Sequence, residues 1–162
     1  MVAVQAWPVK RAMVARLKAV VTGSIVVPGT TALVSPGGGR TVQVAHVIPA
    51  EPDPVCVYGT AIQLTRHPAT AEHGGVAQER CPLEVRIRVT EPGEDVEAAD
   101  QLAGDLVNAV ATAVLAEPRL CGTTGSLTLL SVSQDPIARA PSPEPEVRVN
   151  VGVTFLLEVA TT

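Results

Sequence analysis

Residues 82–122 read PLEVRIRVTEPGEDVEAADQLAGDLVNAVATAVLAEPRLCG, and two periodicities meet in this stretch. From Pro82 to Thr90 the chain alternates. Leu83, Val85, Ile87 and Val89 fall on one side and Glu84, Arg86 and Arg88 on the other, the pattern of a half-buried strand. Pro92 and Gly93 then break the strand. Glu94, Asp95 and Glu97 place negative charge where the dipole of a following helix favours it. Over 95–116 the period becomes helical. Val96, Ala99, Ala103, Leu106, Val107, Val110 and Val114 form one stripe, and Asp100, Gln101, Asp105, Asn108 and Thr112 lie largely away from it. Pro118 cannot continue a helix and biases Glu117 out of one. About twenty residues at ~1.5 Å each reach roughly 30 Å, enough to cross a four-stranded sheet. Each large aliphatic side chain buried along such a stripe contributes about 1.5–3 kcal/mol. The stretch predicts a strand feeding a helix whose stripe, through Leu106 and Val110, anchors the core.

Working outward, Leu127–Ser133 is a further strand candidate, and APSPEPE over 140–146 is a stiff connection. From Val147 to Val159 every second residue is Val, Phe or Leu. This is a strand of unusual length, expected to bend, at Gly152, or to continue into a neighbouring subunit. Upstream, residues 8–22 read as a first helix with Val9, Met13, Leu17, Val20 and Val21 at helical spacing. Lys10, Arg11 and Lys18 take its other faces, Pro8 suits the first turn and Gly23 the stop. Short strands are expected at 24–27, 31–34 and 41–47, with SPGGGR over 35–40 as a hairpin tip between the last two. Between 49 and 80 the pattern weakens. PAEPDP is a rigid loop, VCVYGTAIQL has strand character around a glycine, and RHPATAEHGGVAQER is expected as a long surface loop. The order of elements predicts an α+β fold in one domain, 1–162. A mostly antiparallel sheet carries two helices on one face, and a loop or hairpin arm spans 49–80.

Composition sets the bounds. The 162 residues fit one domain, able to bury roughly 68–70% of its unfolded surface. Hydrophobic residues make up 46% and aromatics 2%, so the core is built from Val, Leu, Ile and Ala. A net charge of −4 argues against a module held to nucleic acid by phosphate neutralisation. No apolar run is long enough for a membrane span, and the N-terminus lacks the charged, apolar and cleavage regions of a signal peptide. The expectation is a soluble protein made in the cytoplasm.

Sites of chemistry are sparse. SPGGGR invites a phosphate-loop reading, but such a cradle opens a helix, and TVQVAHV after it reads as a strand. His67, Glu72, His73, Glu79 and Cys81 form a loose set of metal-ligating types without the paired spacing of a zinc site. His46 reads as an edge residue on an apolar strand. Cys56, Cys81 and Cys121 are odd in number and far apart, which favours free buried thiols over a disulfide framework. Arg86, Arg88 and Arg148 could gather on one exposed sheet face, read as a solvated face or an inter-subunit contact with acids rather than an anion site. No catalytic, cofactor or metal residue is assigned, and no enzyme activity is expected.

The sequence LEVRIRV…GEDVEAADQLAGDLVNAVATAVLAEPRLCG, followed by a turn-linked EVRVNVGVTFLLEV, resembles the tail-terminator proteins of long-tailed bacteriophages and phage-like particles. The likeness lies mainly in 82–159, with the N-terminal helix agreeing in place. Pro118, Leu120 and Gly122 match the exit that in that family follows an acidic turn and an Ala-rich helix. Residues 49–80 match nothing in it. The resemblance implies a small structural subunit forming a homohexameric ring at the head-proximal end of the tail in the virion. Such a ring caps the tail tube, ends its polymerisation and joins it to the head-tail connector or stopper protein, with DNA passing through the lumen without specific binding. Two alternatives are another neck or minor tail structural protein, and a small oligomeric ligand-binding module of a bacterial cell.

Overall fold

The computed structural model describes residues 5–21, 25–26, 33–34, 41–67, 77–116, 125–140 and 144–161. Two helices lie on one face of a mostly antiparallel sheet, an α+β architecture. In chain order the elements are α1 (Ala6–Val20), β1 (Ile25–Val26), β2 (Leu33–Val34), β3 (Gln43–Ala45), β4 (Val55–Gly59) and β5 (Thr65–His67). They continue with β6 (Ala77–Pro92), α2 (Val96–Leu115), β7 (Gly125–Gln134), β8 (Ala138–Ala140) and β9 (Glu146–Thr161). The main sheet runs β3-β4-β6-β9-β7, with β5 beside β6 and β8 beside β9, while among the described residues β1 and β2 pair with each other alone.

The alternation at 83–89 and 147–159 becomes the inner face of this sheet. β6 and β9 are antiparallel over sixteen residues each, in continuous register from Ala77↔Thr161 to Pro92↔Glu146. Val85 stands opposite Val153, Ile87 opposite Val151 and Leu83 opposite Phe155, and all of these are buried. α2 lies across β6, β9 and β7, burying Ala99, Ala103, Leu106, Val110 and Val114 as the stripe predicts, with Val96 and Val107 half-buried. Ala109 and Ala113 are buried too, because α2 also packs against α1, which widens its buried arc beyond the sheet-facing stripe. Arg16 of α1 donates to the Ala113 carbonyl at 3.2 Å and ties the two helices.

Asp95 is the N-cap of α2. Its carboxylate accepts from the Ala98 N–H at 3.0 Å, satisfying one of the donors a helix start leaves open. Gly93 turns the chain from β6 into α2 with φ +96°, a left-handed conformation that suits glycine.

Several expectations are corrected. The first helix begins at Ala6, not at 8, and Lys10 is not on an outer face: its stem is buried and its ammonium donates to the Thr60 carbonyl. The region 49–80 is not an arm as a whole, since β4 is an interior strand, β5 is paired, and β6 starts at Ala77. The expected surface loop therefore loses both its ends to strands, and its middle, 68–76, lies outside the described residues. The strands on either side of SPGGGR belong to different sheets, and β3 pairs with β4 in parallel, so a β2–β3 hairpin is excluded; 35–40 lie outside the described residues. β9 stays paired with β6 along its whole length, through Gly152, because β6 is equally long. The irregularity falls on β7, where a bulge between Leu129 and Ser131 shifts the register. Residues 117–122, with the family-like exit, lie outside the described residues.

Candidate interaction surface

The second face of the sheet, away from the helices, carries the three arginines singled out from the sequence. Arg86 lies flat across β9 and donates to the Asp135 carboxylate at 2.7 Å, with Glu84 at 3.7 Å. Gly152 makes this possible, since a Cβ there would stand 2.8 Å from Glu84 Oε2 and 2.9 Å from an Arg86 nitrogen. Arg148 pairs with Glu146 at 3.1 Å and Arg80 with Glu158 at 3.1 Å. The carboxylates raise the Arg86 pKa over the lowering effect of burial, which is the largest single influence. Arg88 differs. It stands opposite Asn150 and Cys56, has no carboxylate partner among the described residues, and its Nε is buried without a hydrogen bond, as is that of Arg148. Most of this face is thus a mesh of ion pairs closed within the chain.

The metal-ligating types do not converge. Glu79 is buried beside α1, where its Oε1 accepts from the Gln5 and Ala6 N–H groups at 3.0 and 3.1 Å. It stands in for an N-cap, because the Gln5 side chain provides none. His67 lies on β5 opposite Gln78, and Glu72, His73 and Cys121 lie outside the described residues. Among the described residues no three His, Cys, Asp or Glu side chains gather. Cys56 and Cys81 are free and buried, and burial pushes both thiols above their ordinary pKa. His46 is held below its usual value by desolvation and then by the cations Lys10, Arg11 and Lys18. A groove of about 260 Å³ opens between the Gly93 turn and the β8–β9 connection, lined by Glu94, Arg139 and Glu146 among others.

The two outer edges of the sheet are where apolar side chains meet water. On the β3 side, Val47 and Ile48 follow the strand, 58% and 51% exposed, and Trp7 on α1 is 49% exposed. Lys10, one helical turn from Trp7, and the His46 carbonyl both approach Gly59, where an added Cβ would stand 2.8 Å from Lys10 Cε and 2.7 Å from the carbonyl oxygen. Trp7, Arg11 and Lys18 share the flank of α1 turned from α2, since Arg16 marks the opposite flank. α1 carries four basic residues, Lys10, Arg11, Arg16 and Lys18, and no acid.

On the β7 side, α2 covers Leu127 but leaves Leu129 and Val132, which stand opposite Phe155 and Val153, as a shelf beside it. Leu130, at the bulge, is 54% exposed. α2 carries Glu97, Asp100 and Asp105 and no base, and Asp100 accepts from Gln134 at the end of the shelf at 2.9 Å. These edges carry no sequence motif. Leu129, Leu130 and Val132 read as ordinary strand residues, and only the sheet order reveals that their strand is outermost.

No protein-family model matches the sequence, and no curated protein matches it. No helix is long and apolar enough to cross a membrane among the described residues.

Proposed function

We propose that the protein is a structural subunit of a phage or phage-like tail, a ring-forming tail terminator that caps the tail tube and joins it to the head-side connector. The observation that carries this reading is the placement of the exposed apolar residues. Apart from Leu115 at the end of α2, the large ones among the described residues lie at the two outer edges of one rigid sheet-and-helix slab. Apolar patches rimmed by charge mark surfaces that meet other proteins. The element order also fits the resemblance: a strand, an acidic turn, a long Ala-rich helix and a long alternating last strand, with a helix before them. The homohexameric ring, the tube and connector partners and the head-proximal place in the virion come from that resemblance. With a net charge of −4, a lumen of such subunits lets DNA slide rather than hold it.

The test is deletion of the gene from its phage or particle cluster. Filled heads with over-long or unjoined tails are expected, and immunogold labelling should place the protein at the head-proximal end of the tail. Normal particles, or label on the capsid shell, would remove the reading. Label elsewhere in the neck would favour a neighbouring station in the same assembly.

A further inference from the structure

We infer that Arg88 and Arg148 form a binding site for a small oxyanion, a phosphate or carboxylate group, on the sheet face away from the helices. The inference goes beyond the ring reading and does not depend on it.

Three observations support the site. The first is a guanidinium left over. On this face Glu84 and Asp135 serve Arg86, Glu146 serves Arg148 and Glu158 serves Arg80. Arg88 has no carboxylate partner among the described residues, and of its three nitrogens only Nε is sealed from solvent without a bond. Its two terminal nitrogens are therefore open to a ligand. Asp53 sits over β3, two strands away: its N–H donates to Gln43, which stands opposite Cys56, and Cys56 stands opposite Arg88.

The second observation is geometry. Arg88 stands opposite Asn150 and Arg148 opposite Thr90, so the two arginines are diagonal neighbours on adjacent strands. Such positions lie about 7–8 Å apart, within reach of long side chains. Arg148 donates to Glu146 through one terminal nitrogen at 3.1 Å, and with its side chain 42% exposed the other is free to donate. Asn150 adds an amide beside both. Guanidinium forks match the paired oxygens of phosphate and carboxylate. On the β8 side of Arg148 a hollow of about 160 Å³, shared with Arg139, has room for the rest of an organic phosphate or carboxylate.

The third observation is that these two side chains are held in place at a cost. Both Nε groups are buried without a hydrogen bond, and among the described arginines only these two show it. Stability alone does not favour a buried donor without a partner, and such groups in a folded protein call for another role. A guanidinium already fixed against the sheet loses little freedom when a ligand arrives. One open fork in a face otherwise neutralised suits a single anionic group. A nucleic-acid backbone needs a row of free cations, which this face lacks.

Calorimetric titration of the full chain with sodium phosphate near neutral pH, at ionic strength held constant with sodium chloride, reads the site. One saturable site in the millimolar range is expected, and the urea midpoint should rise as it fills. Arg88→Met should weaken binding at least tenfold while folding as the parent does by circular dichroism. Arg88→Lys keeps the charge without the fork and should also weaken it. Arg80→Met removes the same charge from another place on the same face and should bind as the parent does. Acetate is the second probe: acetate held through the same residues supports a carboxylate ligand, and phosphate held alone supports a phosphate.

No saturable binding of either ion through the millimolar range would overturn the inference. So would Arg88→Met or Arg88→Lys binding like the parent, or Arg80→Met losing as much as Arg88→Met. The titration is separate from the deletion phenotype: saturable binding with normal deletion particles keeps the site and discards the tail role, and the reverse pair of results discards the site and keeps the role.

Discussion

Glu79 occupies an inward position of β6, and its carboxylate ends α1 rather than serving chemistry. A buried carboxylate is costly unless hydrogen-bonded, and here backbone N–H groups at a helix start supply both the bonds and a favourable dipole. Arg88 is the opposite case, a half-buried guanidinium whose Nε has no partner. Replacing such a group by an apolar one of similar shape is close to neutral or stabilising. Arg88→Met is expected to leave urea stability unchanged or raise it by up to about 1 kcal/mol, while Arg86→Met, which strands Asp135 and Glu84, loses about 1 kcal/mol. If Arg88→Met costs more than Arg86→Met, the face holds a partner for Arg88 within the fold.

The thiols make a second residue-scale prediction. Burial is the first cause of the raised pKa of Cys56 and Cys81, with Asp53 and Glu79 adding to it. A raised folded value gives stability that is full below the unfolded thiol pKa and is lost as pH rises through that value toward the folded one. At about pH 8.5, the ordinary thiol value, a thiol reagent should label these two cysteines only as fast as the protein unfolds. The urea midpoint should also fall as pH climbs above that point. Labelling of Cys56 or Cys81 at the rate of a free thiol in a native Cys121→Ser variant would count against the buried placement.

At the scale of elements, α2 should tolerate change on one face only. Leu106 is fully buried and Asp105 exposed. Leu106→Asp buries an unpaired charge and is expected to cost about 4 kcal/mol or more, against about 0.5 kcal/mol or less for Asp105→Ala. Urea denaturation that ranks them the other way would mean the helix is rotated. Two glycines make a paired test with opposite signs. Gly93 has φ +96° and open space around its Cβ position, so Gly93→Ala meets backbone strain alone and should cost about 1–3 kcal/mol. Gly104 sits inside α2, also in open space, so Gly104→Ala should stabilise by about 0.5–1 kcal/mol. Equal effects at the two sites would show that backbone conformation does not distinguish them.

The same scale shows what was legible in the sequence. The strand at 82–90, α2 and the inner face of β9 could be read because local alternation or helical spacing marks the buried side. The start of β6 could not, because Glu79 puts a charge at an inward position, and what satisfies it is a helix N-terminus far away in the chain. Lys10 misled for the same reason: its stem fills the space above Gly59, and its ammonium finds a carbonyl on the β4–β5 connection. The parallel β3–β4 pair left no trace, since a three-residue strand carries too short a pattern. The surface shelf on β7 was hidden because exposure depends on which strand lies outermost, a property of the sheet and not of the strand.

For the whole molecule, the contrast lies between a sealed face and two open edges. Most of the arginine face, Arg88 excepted, is paired with its own carboxylates, so it adds little attraction for a further partner; the edges instead expose apolar side chains. The longest pairing of the sheet, β6 with β9, lies at its centre. Loss of function by surface variants should therefore cluster at the edges, and loss of solubility at the centre. Scoring a library of single substitutions for tail assembly and for soluble yield separately would check this, and edge variants that act only through yield would count against it.

The β6–β9 ladder also fixes when the protein can exist. Its nearest contact joins Pro92 to Glu146 and its farthest Ala77 to Thr161, with α2 and β7 made in between. Until the ribosome has released β9, β6 lacks its longest neighbour, and β7, which among the described residues pairs only with β9, lacks its partner. Contacts of such long sequence separation slow folding, and an unpaired apolar strand held open during that delay invites the wrong partner. Synthesis is thus all or nothing for this chain: a nascent copy stalled before residue 146 carries the surface of the finished core with nothing to close it, a natural target for chaperones and proteases.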